Sequence, residues 1–344
     1  MSLENSPIPL IDLTSNPSVE DLGAQVLKAA SSIGFLFLRL PQDGGLAQEK
    51  VNGMFDVAKE LFSSPMEELD ACKLDADTNG YAAFKSNRLA ESAGQADLKA
   101  NFVIGRHPVD VPGPRSPLPP ALQCRKPEVD AFHAACWDLT CQLLDAFSVA
   151  LNLPQSYFRD RHAQGCSGLS LNNYPAISAG QAADEAASTS RASAHKDWGS
   201  LTLLFQEEFG TPGLEVFLAD DVVAVAQSDQ PYLLMSDVDL TKGKWHAAPV
   251  IPHTVLVNLG LAVEAWTSST LRATLHRVVV QPEPDGGFKQ RMSMPYFVQP
   301  KPDVVFNPIS PDGTIQEVAG AKTSRQFFID RQTASVKAIE VKAA

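Results

Sequence analysis

The sequence predicts a mainly β fold with flanking helices, built as a sandwich or barrel rather than as a parallel βαβ sheet. Three observations predict it. After Pro154, short β-branched or alternating runs recur at 168–174, 200–205, 214–217, 254–258, 276–280 and 291–298, the pattern of antiparallel strands. Gly and Pro punctuate those runs. Before Pro154, Phe132, Cys136, Leu139, Leu143, Phe147 and Leu151 recur every three or four residues, giving a scaffold helix whose single apolar stripe should back a sheet.

The elements follow in order. Pro9-Leu-Ile-Asp-Leu13 reads as a short strand. Ser18 and Asp21 form a capping-box pattern ahead of Leu22, Val26 and Ala30, which sit at helical spacing until Gly34 can stop the helix. Gly34–Leu40 reads as a strand, and Gln48–Phe62 as a second helix ending near Pro65. His133 and His162 lie in or near the scaffold helix and are expected to be packed or surface residues. The Ala/Ser-rich stretch 177–194 is expected to be a mobile loop, and 220–244 an excursion from the barrel. Gly286-Gly287 suits a tight hairpin between the last two strands. The sequence has no internal repeat and no glycine-rich phosphate loop.

Composition excludes several functions. The 344 residues carry 28 basic against 40 acidic side chains, a net charge of −12. Nucleic acid and anionic membranes both need basic surface, so neither is an expected partner. Hydrophobic residues make up 44%, ordinary for a globular chain. The five cysteines include no Cys-x-x-Cys pair. The start lacks the basic and apolar regions of a secretory signal, so a reduced, cytoplasmic protein is expected.

Chemistry concentrates in Ala194-His-Lys-Asp-Trp-Gly199. His195 and Asp197 are two residues apart, so in extended chain both side chains point to one side. Thr274-Leu-His276-Arg offers a second histidine at the start of a later strand-like run. Two histidines and one carboxylate occupy one face of an octahedron and leave three positions open, the pattern of non-haem Fe(II) oxygenases. A lone His-x-Asp occurs by chance in many chains; weight comes from Arg291-Met-Ser293 on the following strand. Arg291 and Ser293 share a face and together suit a carboxylate. His246 and His253 compete for the third ligand position, but neither is followed by an Arg-x-Ser strand at comparable spacing.

Six ordered segments carry a family resemblance: Asn172-Asn-Tyr174-Pro, His195-Lys-Asp-Trp-Gly-Ser-Leu-Thr202, Val257-Asn-Leu-Gly260, Glu264-Ala-Trp-Thr267, Thr274-Leu-His276-Arg-Val and Arg291-Met-Ser-Met-Pro-Tyr-Phe297. With the opening Pro9-Leu-Ile-Asp-Leu and Gly34-Phe-Leu-Phe, they resemble the isopenicillin-N-synthase-like family of Fe(II)/2-oxoglutarate-dependent dioxygenases, from about residue 8 to 300. The resemblance implies a double-stranded β-helix core, a distorted cupin-like jelly roll, with Fe(II) held by His195, Asp197 and His276. It implies that Arg291 and Ser293 hold the distal carboxylate of 2-oxoglutarate, assisted by Tyr174 and Asn172. The chain departs from the family pattern at Leu261 and Ala100, where acidic residues are usual; both positions concern supporting contacts rather than ligands.

What the resemblance implies for function is an oxygenase that uses Fe(II), 2-oxoglutarate and O2, with ascorbate as a stimulant. It would hydroxylate, desaturate, cyclise or rearrange a small organic substrate of specialised metabolism and release succinate and CO2. Two alternatives stay open: a same-family oxidase that does not use 2-oxoglutarate, and a non-catalytic small-molecule binding protein on the same fold. Candidate pocket residues are Tyr81, Phe102, Trp198, Phe297, Phe327, Phe328 and Arg331, with 177–194 as a lid over the site. The expected organisation is one domain over 1–344. An N-terminal α/β region (1–125) and the scaffold helix (126–154) would pack on the core (165–300), capped by 301–344.

Overall fold

A computed structural model describes residues 6–75, 78–86, 96–105, 116–180, 190–219 and 239–343. In chain order the first strands and helices are β1 (Leu10–Asp12), α1 (Val19–Ser32), β2 (Phe35–Arg39), α2 (Gln48–Phe62), α3 (Met66–Asp70), β3 (Gly80–Ala82) and β4 (Ala100–Ile104). Helices α4 (Pro120–Cys124), α5 (Lys126–Ala150) and α6 (Tyr157–Asp160) follow. Then come β5 (Gly168–Tyr174), β6 (Ser190–His195), β7 (Leu201–Gln206), β8 (Leu214–Ala219), β9 (Gly243–Ala247) and β10 (Thr254–Leu259). The last are α7 (Leu261–Trp266), β11 (His276–Val279), β12 (Arg291–Val298) and α8 (Ser324–Ala343).

Eight strands form one sheet in the order β1-β2-β10-β7-β12-β5-β4-β3, and four form a second, β6-β11-β8-β9. The β1–β2 pair is parallel and the other strand pairs are antiparallel. Both faces of the larger sheet are covered, so the two-residue alternation sorts every strand into two buried sets. Leu36 and Leu38 of β2, and Met292, Met294, Tyr296 and Val298 of β12, pack with the helices. Phe35 and Phe37, Leu256 and Tyr174 pack instead with Ala192, Leu214, Val216 and Val278 of the smaller sheet. The sheets therefore face each other as the walls of a distorted jelly roll.

Local chemistry explains the helices. The Ser18 side chain accepts the Asp21 backbone N–H at 3.1 Å and its hydroxyl donates to the Asp21 carboxylate, closing the start of α1. Gly34 ends that helix with φ +71°, where a Cβ would lie 2.4 Å from the Arg272 carbonyl. The α5 stripe, Phe132, Cys136, Leu139, Leu143 and Phe147, is buried as its spacing predicts. Phe132 meets Phe205 of β7 edge-on at 5.0 Å between centroids. Each such buried large side chain contributes roughly 1.5–3 kcal/mol. No helix among the described residues is long and apolar enough to cross a membrane.

The structure corrects two sequence expectations. Within 177–194, predicted as loop, residues 190–195 form β6. Its Ser190-Arg-Ala-Ser-Ala run has little strand propensity, and at the edge of the smaller sheet it pairs with β11, with register shifts. Gly286-Gly287 does turn the chain, with the Glu283 N–H donating to the Gly287 carbonyl. The turn is not a hairpin, because β11 and β12 lie in different sheets. Residues 181–189 of 177–194, and 220–238 of the predicted excursion, lie outside the described residues.

His162 is packed, as expected. Its Nδ1–H donates to the Phe158 carbonyl at 2.7 Å, its Nε2 accepts the Ser200 hydroxyl at 2.8 Å, and its ring stacks on Trp266. Burial pushes its pKa down to about 4, so the folded protein holds it neutral. The unfolded chain takes up this proton near pH 6.5. The contribution of His162 is thus complete above about pH 6.5 and is lost on acidification toward 4, at about 1.4 kcal/mol per pH unit. Chemical unfolding followed between pH 7.5 and 4.5 should include this contribution, and His162→Gln should reduce the slope by about 1.4 kcal/mol per pH unit while lowering stability at pH 7.5. An unchanged slope would refute the assignment.

Candidate functional site

The site forms where the end of β6 meets the start of β11. His276 is the register partner of His195 across the two antiparallel strands, and their ring centroids lie 4.4 Å apart. Asp197 follows β6 in a tight segment that is locked from behind. The Leu261 N–H donates to the Asp197 carbonyl at 2.8 Å and the Gly260 N–H to the Ser200 carbonyl at 2.9 Å. A Cβ on Gly260 would sit 2.1 Å from the Gly199 carbonyl oxygen, so the Asn258-Leu-Gly260 turn needs its glycine for this approach.

One ligand atom from each of His195, Asp197 and His276 lies within 4.8 Å of the other two. Both Nε2 atoms stand 3.7 Å from Asp197 Oδ1, too far for hydrogen bonds. The outer atoms are held. Nδ1–H of His195 donates to the Ser193 carbonyl at 2.7 Å and that of His276 to the Thr274 carbonyl at 3.1 Å. Because a carbonyl only accepts, each Nε2 keeps its lone pair for the centre. Asp197 Oδ2 accepts the Thr202 hydroxyl at 2.6 Å and the Asn258 amide at 2.8 Å, leaving Oδ1 pointing inward. Burial, with His276 beside it, pushes His195 down to about 4 against the pull of Asp197. Burial alone would raise Asp197, but the two imidazoles and its hydroxyl and amide donors outweigh it and hold the carboxyl low. Two neutral nitrogens and one carboxylate oxygen that converge without bonding to each other fit a divalent metal of the non-haem iron type.

A polar wall faces this centre from the larger sheet. Arg291 pairs with Tyr174, and Ser293 pairs with Asn172 on one side and Gln206 on the other. Arg291 is 2% exposed. Its Nη1 donates to the Ser293 hydroxyl at 3.2 Å, Nη2 approaches Gln206 Oε1 at 3.4 Å, and its Cζ lies 5.1 Å from the Tyr174 ring centroid. The buried Nε has no hydrogen-bond partner. A buried guanidinium with an unused donor, beside a hydroxyl and a phenol, is a cradle for a carboxylate.

The sequence-predicted residues divide clearly. His195, Asp197 and His276 are brought together, as are Arg291, Ser293, Tyr174 and Asn172. His246, on β9, pairs with Val216 of β8, so β8 separates it from His276. His253 lies on a positive-φ turn, its N–H donating to Gln48 Oε1. Of the pocket candidates, Phe297 shares the inward face of β12 with Arg291 and Ser293 by alternation. Tyr81, Phe102 and Phe327 belong instead to the helix-side core, with Trp198 and Phe328 packed against it. Phe102 pairs with Leu171 and takes its face, so the inward position on β4 is Asn101, opposite Asn172. Phe327 meets Phe306, which stacks on Trp266, and Arg331 lies over Phe327 at 5.5 Å. Aromatic type alone does not place a residue on the inward face; strand parity does. Thr202 and Asn258, inside the quoted segments but given no role, and Gln206, outside them, show their part only through register.

Comparison with known proteins adds three findings. Residues 8–126 match the family model described as the N-terminal region of non-haem dioxygenases in morphine synthesis, and residues 166–300 match that of the 2OG-Fe(II) oxygenase superfamily. UPF0676 protein C1494.01 of Schizosaccharomyces pombe is 28% identical over 315 residues, 90% of this chain and 87% of that protein. Proline hydroxylase buaE of Petromyces alliaceus is 28% identical over 312 residues, 87% of this chain and 88% of that one. A full-length Neurospora crassa protein, crystallised with alpha-KG and thymine, superposes with a TM-score of 0.75 over 97% of this chain and 99% of its own. At 23% identity that likeness is one of fold.

The groups behind Asp197 yield a test that needs no substrate. Thr202→Val and Asn258→Ala should each weaken Mn(II) binding by about 10–100-fold, measured by titration calorimetry, because they orient the ligating carboxylate. Affinities within twofold of wild type would show that Asp197 is not held for a metal.

Proposed function

The chain belongs to the 2OG-Fe(II) oxygenase superfamily as a 2-oxoglutarate- and Fe(II)-dependent dioxygenase, and we propose that it oxidises a small organic metabolite between His195, Asp197, His276 and the Arg291 wall. One observation carries the residue assignment: three ligand atoms, those of Asp197 and His276 buried and that of His195 half-buried, converge without hydrogen bonding to one another. When bound, the iron supplies O2 activation coupled to the decarboxylation of 2-oxoglutarate to succinate and CO2.

The chain's own groups have distinct tasks. His195 and His276 present neutral Nε2 atoms because the Ser193 and Thr274 carbonyls hold their Nδ1 protons. Asp197 presents Oδ1 and offsets part of the metal charge, while Thr202 and Asn258 keep it from rotating. Arg291 and Ser293 receive the distal carboxylate of 2-oxoglutarate. Arg291 keeps its proton at any working pH, so the anion stays bound as a charge-assisted pair. Gln206 steadies the guanidinium from the far side, and the Tyr174 ring packs beside it. Asn172, bonded through Oδ1 to the Ser170 hydroxyl, extends the polar row toward Asn101. Phe35, edge-on to His276 at 5.4 Å, and Phe297 supply apolar walls that exclude water. A small substrate fits this reading, as two similar proteins handle such molecules, one named a proline hydroxylase and the other crystallised with thymine.

Purified protein supplied with Fe(II), ascorbate, O2 and 2-oxoglutarate should form succinate slowly without an added substrate. His195→Ala and Asp197→Ala should abolish this formation. Arg291→Gln should raise KM for 2-oxoglutarate roughly 30-fold, the loss of about 2 kcal/mol of charge-assisted bonding, with a smaller effect on kcat. Retained turnover in Asp197→Ala would sink the ligand assignment.

A further inference from the structure

Lys99 stands one residue before the first Ala100–Asn173 pair of β4, beside Tyr174, which pairs in turn with Arg291. Its side chain is 18% exposed, and its ammonium approaches Asp97 Oδ2 at 3.4 Å. The ammonium is near enough for its charge to act on Tyr174 and Asp197, and on His195. Asp97 is itself enclosed, with a fully buried side chain. Its Oδ1 accepts the Ser193 N–H at 3.1 Å, and the Ser193 carbonyl accepts Nδ1–H of His195. Asp97 therefore steadies the strand that orients an iron ligand, at the cost of a buried negative charge close to where an anionic cosubstrate must sit.

Charge balance shows what Lys99 does there. The Fe(II) dication and Arg291 together balance Asp197 and the two carboxylates of 2-oxoglutarate. The buried Asp97 carboxylate would add one uncompensated negative charge to that set, and a low-dielectric interior makes that repulsion large. We propose that Lys99 is a positioning residue of the cosubstrate site. It neutralises Asp97, so that the β6 clamp does not repel the dicarboxylate, and it carries a second cation to the far side of Tyr174 from Arg291. The proposal rests on the assignment of Arg291 and Ser293 to the distal carboxylate.

A charge cycle separates this role from a structural clamp. The measurement is calorimetric binding of 2-oxoglutarate and N-oxalylglycine to the anaerobic Mn(II)-loaded full chain, with thermal melting as the fold control. Lys99→Gln should raise both Kd values about tenfold, whereas Lys99→Arg should stay within about threefold of wild type. Asp97→Asn keeps an oxygen for the Ser193 N–H, removes the repulsion and should lower Kd about threefold or more. The Asp97→Asn/Lys99→Gln double variant restores the balance and should return near the wild-type value, and it carries the comparison if Lys99→Gln melts early. Equal Kd for Lys99→Gln and wild type, or weakening by both single variants, would overturn the proposal. If Arg291→Gln loses dicarboxylate binding while Lys99→Gln does not, only the Lys99 role fails; if Arg291→Gln binds as wild type does, the underlying site assignment fails with it.

Discussion

Alternation along the strands of the eight-stranded sheet, with neither face open to water, is the constraint on which the rest of the structure depends. Helices α1, α2 and α5 cover one face and the smaller sheet covers the other, so each strand divides its side chains between two interiors. On β12 this sends Met292, Met294, Tyr296 and Val298 to the helices and Arg291 and Ser293 inward. On β5 it separates Leu169 and Leu171 from Asn172 and Tyr174, and on β7 it separates Leu203 and Phe205 from Thr202 and Gln206. A one-residue slip in any of these registers would bury a polar head against the helices and empty the site.

The inward polar heads are tolerable because they satisfy one another. A buried group left unpaired costs about 1–3 kcal/mol, and a buried charge more. Thr202 and Asn258 engage one oxygen of Asp197, Ser193 and Thr274 engage the outer nitrogens of the histidines, and Gln206 and Ser293 engage Arg291. Within the site, two Nε2 atoms and Asp197 Oδ1 converge without bonding to one another, and Arg291 Nε has no hydrogen-bond partner. Ligand atoms held from behind and left open toward one another are the arrangement a metal and an anion would need. A chain of net charge −12 can hold a dianion because the decisive charges are local and buried, whereas the acidic surplus at the surface is screened by salt.

Much of the fold is legible because periodicity is a local property. The helix Gln48–Phe62 can be read to the residue, as can the strands 168–174 and 291–298. The elements that escape lack that signal. β3 and β9 are short, β6 is rich in Ser and Ala, and all three lie at sheet edges where pairing on one side suffices. The hairpin expected at Gly286-Gly287 fails for a related reason. Turn chemistry shows where a chain bends, not which sheet the following strand joins.

The site is legible in its reactive members and illegible in its supports. His195, Asp197 and His276 declare themselves by donor type and spacing, and Arg291 with Ser293 by sharing a strand face, so sequence alone singled out the donor set and the polar pair that the fold brings to one side. It also determined a mainly β core with helices outside it. Only the tertiary structure decided which groups hold those residues in place, that Phe102 and Tyr81 belong to the helix-side core, and that Lys99 and Asp97 stand beside the ligand strand. Donor chemistry and strand period are written within a few residues. Thr202, Asn258, Gln206 and Asp97 take their partners across register pairings and sheet contacts between distant segments, and those pairings exist only once the chain has folded.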